Sequence, residues 1–258
     1  MAMKMSYLSL IYFFFYMPIF ILVLYSFNNA HYSLVWHGAT WHWYQALFND
    51  YDLWIATWHS LILGVLAASA AMIIGLLTAT ILYRYEFFGR YLLNGLLFVM
   101  ILSPEIVMGV ALLILFTTIQ LPLGFISLLL SHISFCIPFV VVTIYSRLVG
   151  IDKNIFEAAK DLGATDWIVF TRILVPLVAP ALLASWLLSF TLSLDDVIIS
   201  YFVAGPEFEI LPLRIYSLVR SGIKPELNAL CSVLFVITCA LVILSQLALR
   251  KPKTSEIN

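Results

Sequence analysis

The sequence predicts an all-α, polytopic membrane protein with six transmembrane helices and both termini in the cytoplasm. Three observations predict it. First, 63% of the 258 residues are apolar and only 10% are charged, whereas soluble domains are ~45–50% apolar even with glycine counted and ~25% charged. With a mean hydropathy of +1.04, the chain has too little polar surface to cover one globular core, and disorder, which needs low hydrophobicity, is excluded as well. Second, the apolar residues fall into runs near the ~20 residues that a spanning helix needs. They are too long and aliphatic for outer-membrane strands, which alternate in segments of ~10. Third, the cations are distributed unequally between alternate loops.

The six spans are expected at about 7–27, 58–83, 91–118, 124–147, 178–202 and 226–249, in one transmembrane domain over 1–258. Lys4 before the first run gives it the look of a signal peptide. The run is ~20 residues, longer than the 7–15 of a signal core, and Ser26-Phe27-Asn28-Asn29 is no small-x-small cleavage site, so it reads as an uncleaved span. Placing the N-terminus inside puts Lys4, Arg84, Arg90, Arg147, Lys153, Lys160, Arg172, Arg250, Lys251 and Lys253 inside, ten of the thirteen cations. Only Arg214, Arg220 and Lys224 fall outside, and the excess marks the cytoplasmic face. Net charge is −1, so no bulk field draws nucleic acid. Cys136, Cys231 and Cys239 all lie in apolar spans and suggest neither disulfides nor a metal site.

The first outer segment, 28–57, is rich in aromatics, and Trp36, Trp41, Trp43, Trp54 and Trp58 lie in or beside it. It reads as an aromatic belt at the headgroups or as a surface for an external partner. His31, His37 and His42 nearby fit no compact metal spacing. The outer loop 204–226 contains Pro212 and Gly222 at the start and stop of a short helix, a rigid connector or a docking surface.

The inner loop 148–176 is the most informative segment. Asn154-x-x-Glu157 has the form of a capping box, and Lys153 and Glu157 are four apart, placed to face each other. Glu157-Ala158-Ala159-Lys160-Asp161-Leu162 continues a helix, Gly163 permits a left-handed stop, and a second short helix over 166–174 leads to Pro176, where the next span enters. A helix–turn–helix held against the membrane face is suited to receive force from a soluble partner.

Three acids sit where acids are costly: Glu105 beside Pro104 in the third span, and Asp195 and Asp196 in the fifth. A pair at mid-depth would cost ~5–7 kcal/mol, while the fourteen Leu, Ile, Val and Phe residues of 177–203 return ~4–8. The pair therefore belongs near the outer interface or a wet cavity. Such acids mark a cation path or pair structurally with another subunit or with Arg214. Trp186, Phe190 and Tyr201 could add cation–π attraction along a path or could simply pack. Asp195 and Asp196 point ~100° apart on a helix, poor geometry for a catalytic acid pair. The chain has no Gly-Lys dipeptide, hence no P-loop, and no His-Glu-x-x-His zinc motif.

Glu157-Ala158-Ala159, Gly163, Ile173 and Pro176 match the spaced EAA loop of ABC-importer permeases, with Val175 standing where leucine is usual. A narrower resemblance rests on Tyr83-Arg84-Tyr85, Ser103-Pro104-Glu105-Ile106-Val107-Met108, Pro138-Phe139-Val140-Val141-Val142-Thr143, Leu194-Asp195-Asp196-Val197 and Leu211-Pro212-Leu213-Arg214-Ile215-Tyr216. These stretches resemble the second permease subunit of bacterial spermidine/putrescine importers. The resemblance implies the type I ABC-importer permease fold and an inner-membrane location. It also implies a heterodimer with a sister permease, two ATPase subunits that bind ATP and magnesium, and a periplasmic binding protein delivering the polyamine. No cofactor or metal is expected in this chain. Glu157, Ala158, Ala159, Gly163, Ile173 and Pro176 would couple to the ATPase. Glu105, Asp195, Asp196, Trp186, Phe190 and Tyr201 would line the substrate path.

Overall fold

The structure is a computed structural model that describes residues 2–30, 35–152, 154–220 and 225–249, with backbone only at 2–6, 225 and 241–249. His31, Tyr32, Lys153, Gly222 and Lys224 lie outside the described residues, as do the cations from Arg250 onward and the side chain of Lys4. The described chain is helical: α1 Ala2–Tyr25, α2 His42–Asn49, α3 Tyr51–Arg84, α4 Arg90–Leu102, α5 Glu105–Thr118, α6 Phe125–Val149, α7 Asn154–Asp161, α8 Asp166–Ile168, α9 Val175–Asp195, α10 Ile198–Val203, α11 Leu211–Arg220 and α12 Pro225–Leu249. Among the described residues four helices are long and apolar enough to cross a membrane, and the bent pair α4–α5 raises this to five. The last expected span is an apolar helix described in side-chain detail over Glu226–Ala240.

The chain divides into two compact units, 1–53 with 215–258, and 54–214. In the first unit, the link after α1 is organised by Asn28, which is fully buried. Its Nδ2 donates to Val35 O at 2.7 Å, and its Oδ1 accepts from His37 N at 2.8 Å. Trp43 Nε1 donates to Asn28 O at 2.8 Å. Trp43 is therefore a core residue of this unit, whereas Trp36 and Trp41 are exposed.

The second unit is built around α6, whose Leu128, Val140, Ile144 and Leu148 are completely buried. On α3, a side chain at Gly75 would meet Val140 of α6, so glycine there permits close packing. Against α6 lies α9, through Ser185, Ser189 and Ser193. Their spacing of four places small residues on one stripe, the pattern that lets helices approach closely in membranes. On α5, a Cβ at Gly109 would lie 2.8 Å from Phe202 and 3.3 Å from Ile199 Cα of α10.

Three sequence expectations change. The third span is two helices, α4 and α5, at 114° to one another. Proline biases its predecessor away from the helical region, and Ser103 is extended with ψ 134°. The Ser103 hydroxyl donates back to Val99 O at 2.7 Å, a second bond on the carbonyl that already accepts the Ser103 N–H at 2.9 Å. The fifth span likewise breaks between Asp195 and Ile198. At its other end the second loop helix runs without interruption into α9 through a π-helical stretch, Val169–Leu174. Pro176 has no N–H to donate back along the helix, and the widened π turn accommodates that loss. Finally, α3 starts at Tyr51, so Trp54 and Trp58 lie on a helix.

Candidate functional site

The EAA segment forms α7. Asn154 is its first helical residue, and Asp152 Oδ1 accepts the Asn154 N–H at 3.0 Å. The capping box expected of Asn154 and Glu157 meets a helix that begins at Asn154 itself. Phe156 is the buried anchor of the helix, packed edge-on to Tyr83 of α3 at 6.2 Å. Glu157 and Ala158 are exposed, and Ala159 and Ile173 are half-buried. The helix stops at Gly163, whose φ of +85° suits a residue without a Cβ. Gly163 N donates to Lys160 O at 2.8 Å and Ala164 N to Ala159 O at 3.0 Å, the paired bonds of a Schellman stop. Past the turn, Asp166 binds both Lys160 and Arg84 at 3.0 Å. Asp166 faces solvent, which screens both pairs, so they set orientation more than stability. A cleft of about 240 Å³ is lined by Tyr83, Arg84, Phe156, Glu157 and Lys160. Leu162 and Trp167 stand out beside it at 90% and 71% exposure. Large apolar groups held that far into solvent suit a partner surface. Pro176, at the start of α9, is exposed.

The acids separate into three environments. Glu105 is exposed in the first turn of α5, where the positive end of the helix dipole favours a carboxylate. Asp195 is exposed at the last position of α9. Asp196 is buried, 6% exposed. Its Oδ1 accepts from Ile199 N at 3.1 Å, and its Oδ2 accepts from Ser200 N at 2.8 Å and Ser200 Oγ at 2.7 Å. Both oxygens of Asp196, a residue expected on the path, accept from the start of α10, because the break in the span frees N–H groups that need acceptors. Arg214 pairs with Glu209 at 3.4 Å.

Trp186 and Phe190 stack at 5.3 Å. Trp186 Nε1 donates to Ser69 Oγ on α3 at 3.0 Å, and Phe190 lies over Gly64. These two half-buried rings pack α9 onto α3. Tyr201 is 54% exposed.

His132 belongs to none of the sequence motifs described above. This α6 residue is 1% exposed, with Nδ1 2.7 Å from Ser193 Oγ and Nε2 2.9 Å from Ser200 Oγ. Nε2 also lies 3.5 Å from Asp196 Oδ2. Nearby, the buried hydroxyls of Ser131 and Ser189 have no hydrogen-bond partner. A histidine inside an apolar run, with serines recurring every four residues on a later span, was the available signal.

Residues 71–252 match the family of binding-protein-dependent transport system inner membrane components. This chain belongs to that family. It is thus a permease-type, multi-pass membrane component, and its relatives match along nearly the whole length. The chain is 50% identical over 249 residues to the spermidine/putrescine transport system permease protein PotC of Haemophilus influenzae, covering 96% of this chain and 97% of the relative. It is 51% identical over 245 residues to the protein of that name in Escherichia coli K12, covering 95% and 93%. To the putrescine transport system permease protein PotI of Escherichia coli K12 it is 40% identical over 231 residues, covering 86% and 81%. Among solved structures, a bacterial ABC transporter importing the acidic polysaccharide alginate superimposes with a TM-score of 0.73 at 15% identity, over 96% of this chain and 94% of that one. The inward-facing MetNI methionine ABC transporter gives 0.63 at 17%, over 76% and 95%. At these identities the likeness establishes the ABC-importer permease fold.

Proposed function

We propose that this chain is a permease subunit that moves polyamines, spermidine or putrescine, across the inner membrane in an ATP-driven importer. One observation carries the reading. Asp195 holds an exposed carboxylate at the C-terminal end of α9, where the helix dipole disfavours negative charge by ~0.3–1 kcal/mol. Local structure gives no reason for an acid there, and a passing ammonium group does. Glu105 supplies a second exposed carboxylate, at the broken span where non-helical backbone at membrane depth lines cavities. The relatives named for spermidine and putrescine set the substrate class.

In this reading the chain has six spans with both termini cytoplasmic, α12 being the sixth. It pairs with a sister permease and receives polyamine from a periplasmic binding protein. Two ATPase subunits bind ATP and magnesium and dock on α7, with Glu157 and Ala158 exposed towards them and Ala159 half-buried beside them. Gly163, Ile173 and Pro176 shape the turn and carry motion into α9. The continuous helix from Asp166 to Asp195 supports this route, since a rigid rod transmits displacement along its length.

The test is uptake of radiolabelled spermidine by the assembled complex in vesicles, with sulfate as the contrasting solute. Saturable, ATP-dependent spermidine uptake supports the reading. Transport of sulfate with no spermidine uptake overturns it.

A further inference from the structure

The break between α9 and α10 is bridged by a single ring from a third helix. The His132 imidazole contacts Ser193, in the last turn of α9, through Nδ1 at 2.7 Å. It contacts Ser200, in the first turn of α10, through Nε2 at 2.9 Å. We propose that His132 is the positioning residue of this break: it ties the two helix ends together, holds Asp196 in its capping geometry, and thereby sets the direction of the Asp195 carboxylate. The inference rests on the reading of Asp195 as a path carboxylate and extends it to a residue that touches no solute.

The hydrogen-bond directions are mutually consistent. Ser200 Oγ donates its proton to Asp196 Oδ2 at 2.7 Å, so it accepts from His132 Nε2–H. Nδ1 is then left to accept from the Ser193 hydroxyl. A neutral imidazole offers one donor and one acceptor, and the chain Ser193, His132, Ser200, Asp196 uses each once. Asp196 receives two backbone N–H groups besides, so its charge is met by three donors. An apolar residue at 132 would leave the buried Ser193 hydroxyl without the ring and take from Ser200 Oγ the donor it accepts from, and unpaired buried polar groups are what folding avoids most strongly. The break would then relax towards another geometry. Asp196 is the first residue past α9, with an extended ψ of 117°, so the hold on its side chain fixes where α9 stops, and Asp195 stands at that end.

The test uses the assembled complex and two readouts. The first is Asp195→Cys, with labelling by a charged, membrane-impermeant thiol reagent measured above the level of the chain without the introduced cysteine. In the His132→Leu background we expect the rate to change about tenfold, the size that loss of a buried hydrogen bond gives. In His132→Gln, which keeps one donor and one acceptor, it should return towards the original. Equal rates in all three backgrounds overturn the inference, whatever the role of Asp195 in transport. The second readout is uptake. His132→Leu should raise the half-saturating spermidine concentration, and the double variant with Asp195→Asn should be no worse than Asp195→Asn alone, since residues acting through one group are not additive. Additive losses overturn the inference. An Asp195→Asn variant with normal uptake would instead overturn the path reading, and the labelling result would still decide the role of His132. If His132→Leu fails to assemble, Ser200→Ala and Ser193→Ala each remove one bond of the ring and enter the same two assays.

Discussion

Asp195 and Asp196 are adjacent in sequence and opposite in fate, and the difference is one of hydrogen bonding. Asp196 finds three donors within 3.1 Å, while Asp195 faces outward with the helix dipole against it. Replacing Asp195 by asparagine keeps shape and removes charge. A charge-assisted hydrogen bond contributes about 1.5–3 kcal/mol, so half-saturation for spermidine should rise roughly 10–100-fold with assembly intact. Glu105→Gln should act in the same direction, and unchanged uptake kinetics in either variant would remove that residue from the path. Glu157 carries a different expectation. It is exposed beside the cleft over Tyr83 and Phe156, so Glu157→Ala should leave the fold unchanged. Co-purification with the ATPase subunit should weaken, or hydrolysis should continue without uptake. Normal association together with normal uptake would dismiss the coupling role.

The elements owe their shape to a few small residues. Gly163 sits at φ +85°, a conformation that costs a side-chain-bearing residue ~1–2 kcal/mol and a β-branched one most. Gly163→Val should loosen the stop of α7, seen as ATP hydrolysis that no longer responds to substrate. Full coupling in that variant would mean that the turn does not transmit motion. Gly109 lets α5 lie against α10, with Phe202 and Ile199 where a Cβ would go. Overpacking such a contact costs about 1–3 kcal/mol, so Gly109→Leu should lower the melting temperature of the purified complex by a few degrees. An unchanged melting temperature would show that the two helices separate without cost. The two breaks, at Ser103–Pro104 and Asp196–Val197, share a logic: each interrupts the helical ladder beside an exposed carboxylate. At the second, the Asp196 side chain takes up the first N–H groups of α10, and at the first the Ser103 hydroxyl adds a bond to the last turn of α4.

Across the whole molecule, sidedness is the property most directly testable. A C-terminal reporter that is active only in the cytoplasm should be active, and one active only in the periplasm should be silent. The reverse result would leave an odd number of spans. The existence of spans, the loop helix, the glycine stop and the cost of the three acids were all legible in the linear chain. They depend on local quantities: run length against bilayer thickness, apolar content, and the φ that glycine tolerates. The family was legible for the same reason, because the EAA residues are close together in sequence. Where Pro104 bends its span, the proline flagged the place, and the 114° angle came from packing α5 onto α10. Which of two neighbouring aspartates turns inward was invisible, since the partners that decide it, Ser200 and His132, include one on another helix 64 positions before Asp196. Likewise Trp186 and Phe190 became packing residues only once Gly64 and Ser69 of α3 lay against them. Local chemistry marks which segments enter the membrane and which residues are costly there. The assignment of each costly side chain to a partner or to open space waits on contacts between distant helices, because burial and hydrogen bonding are properties of neighbours in space.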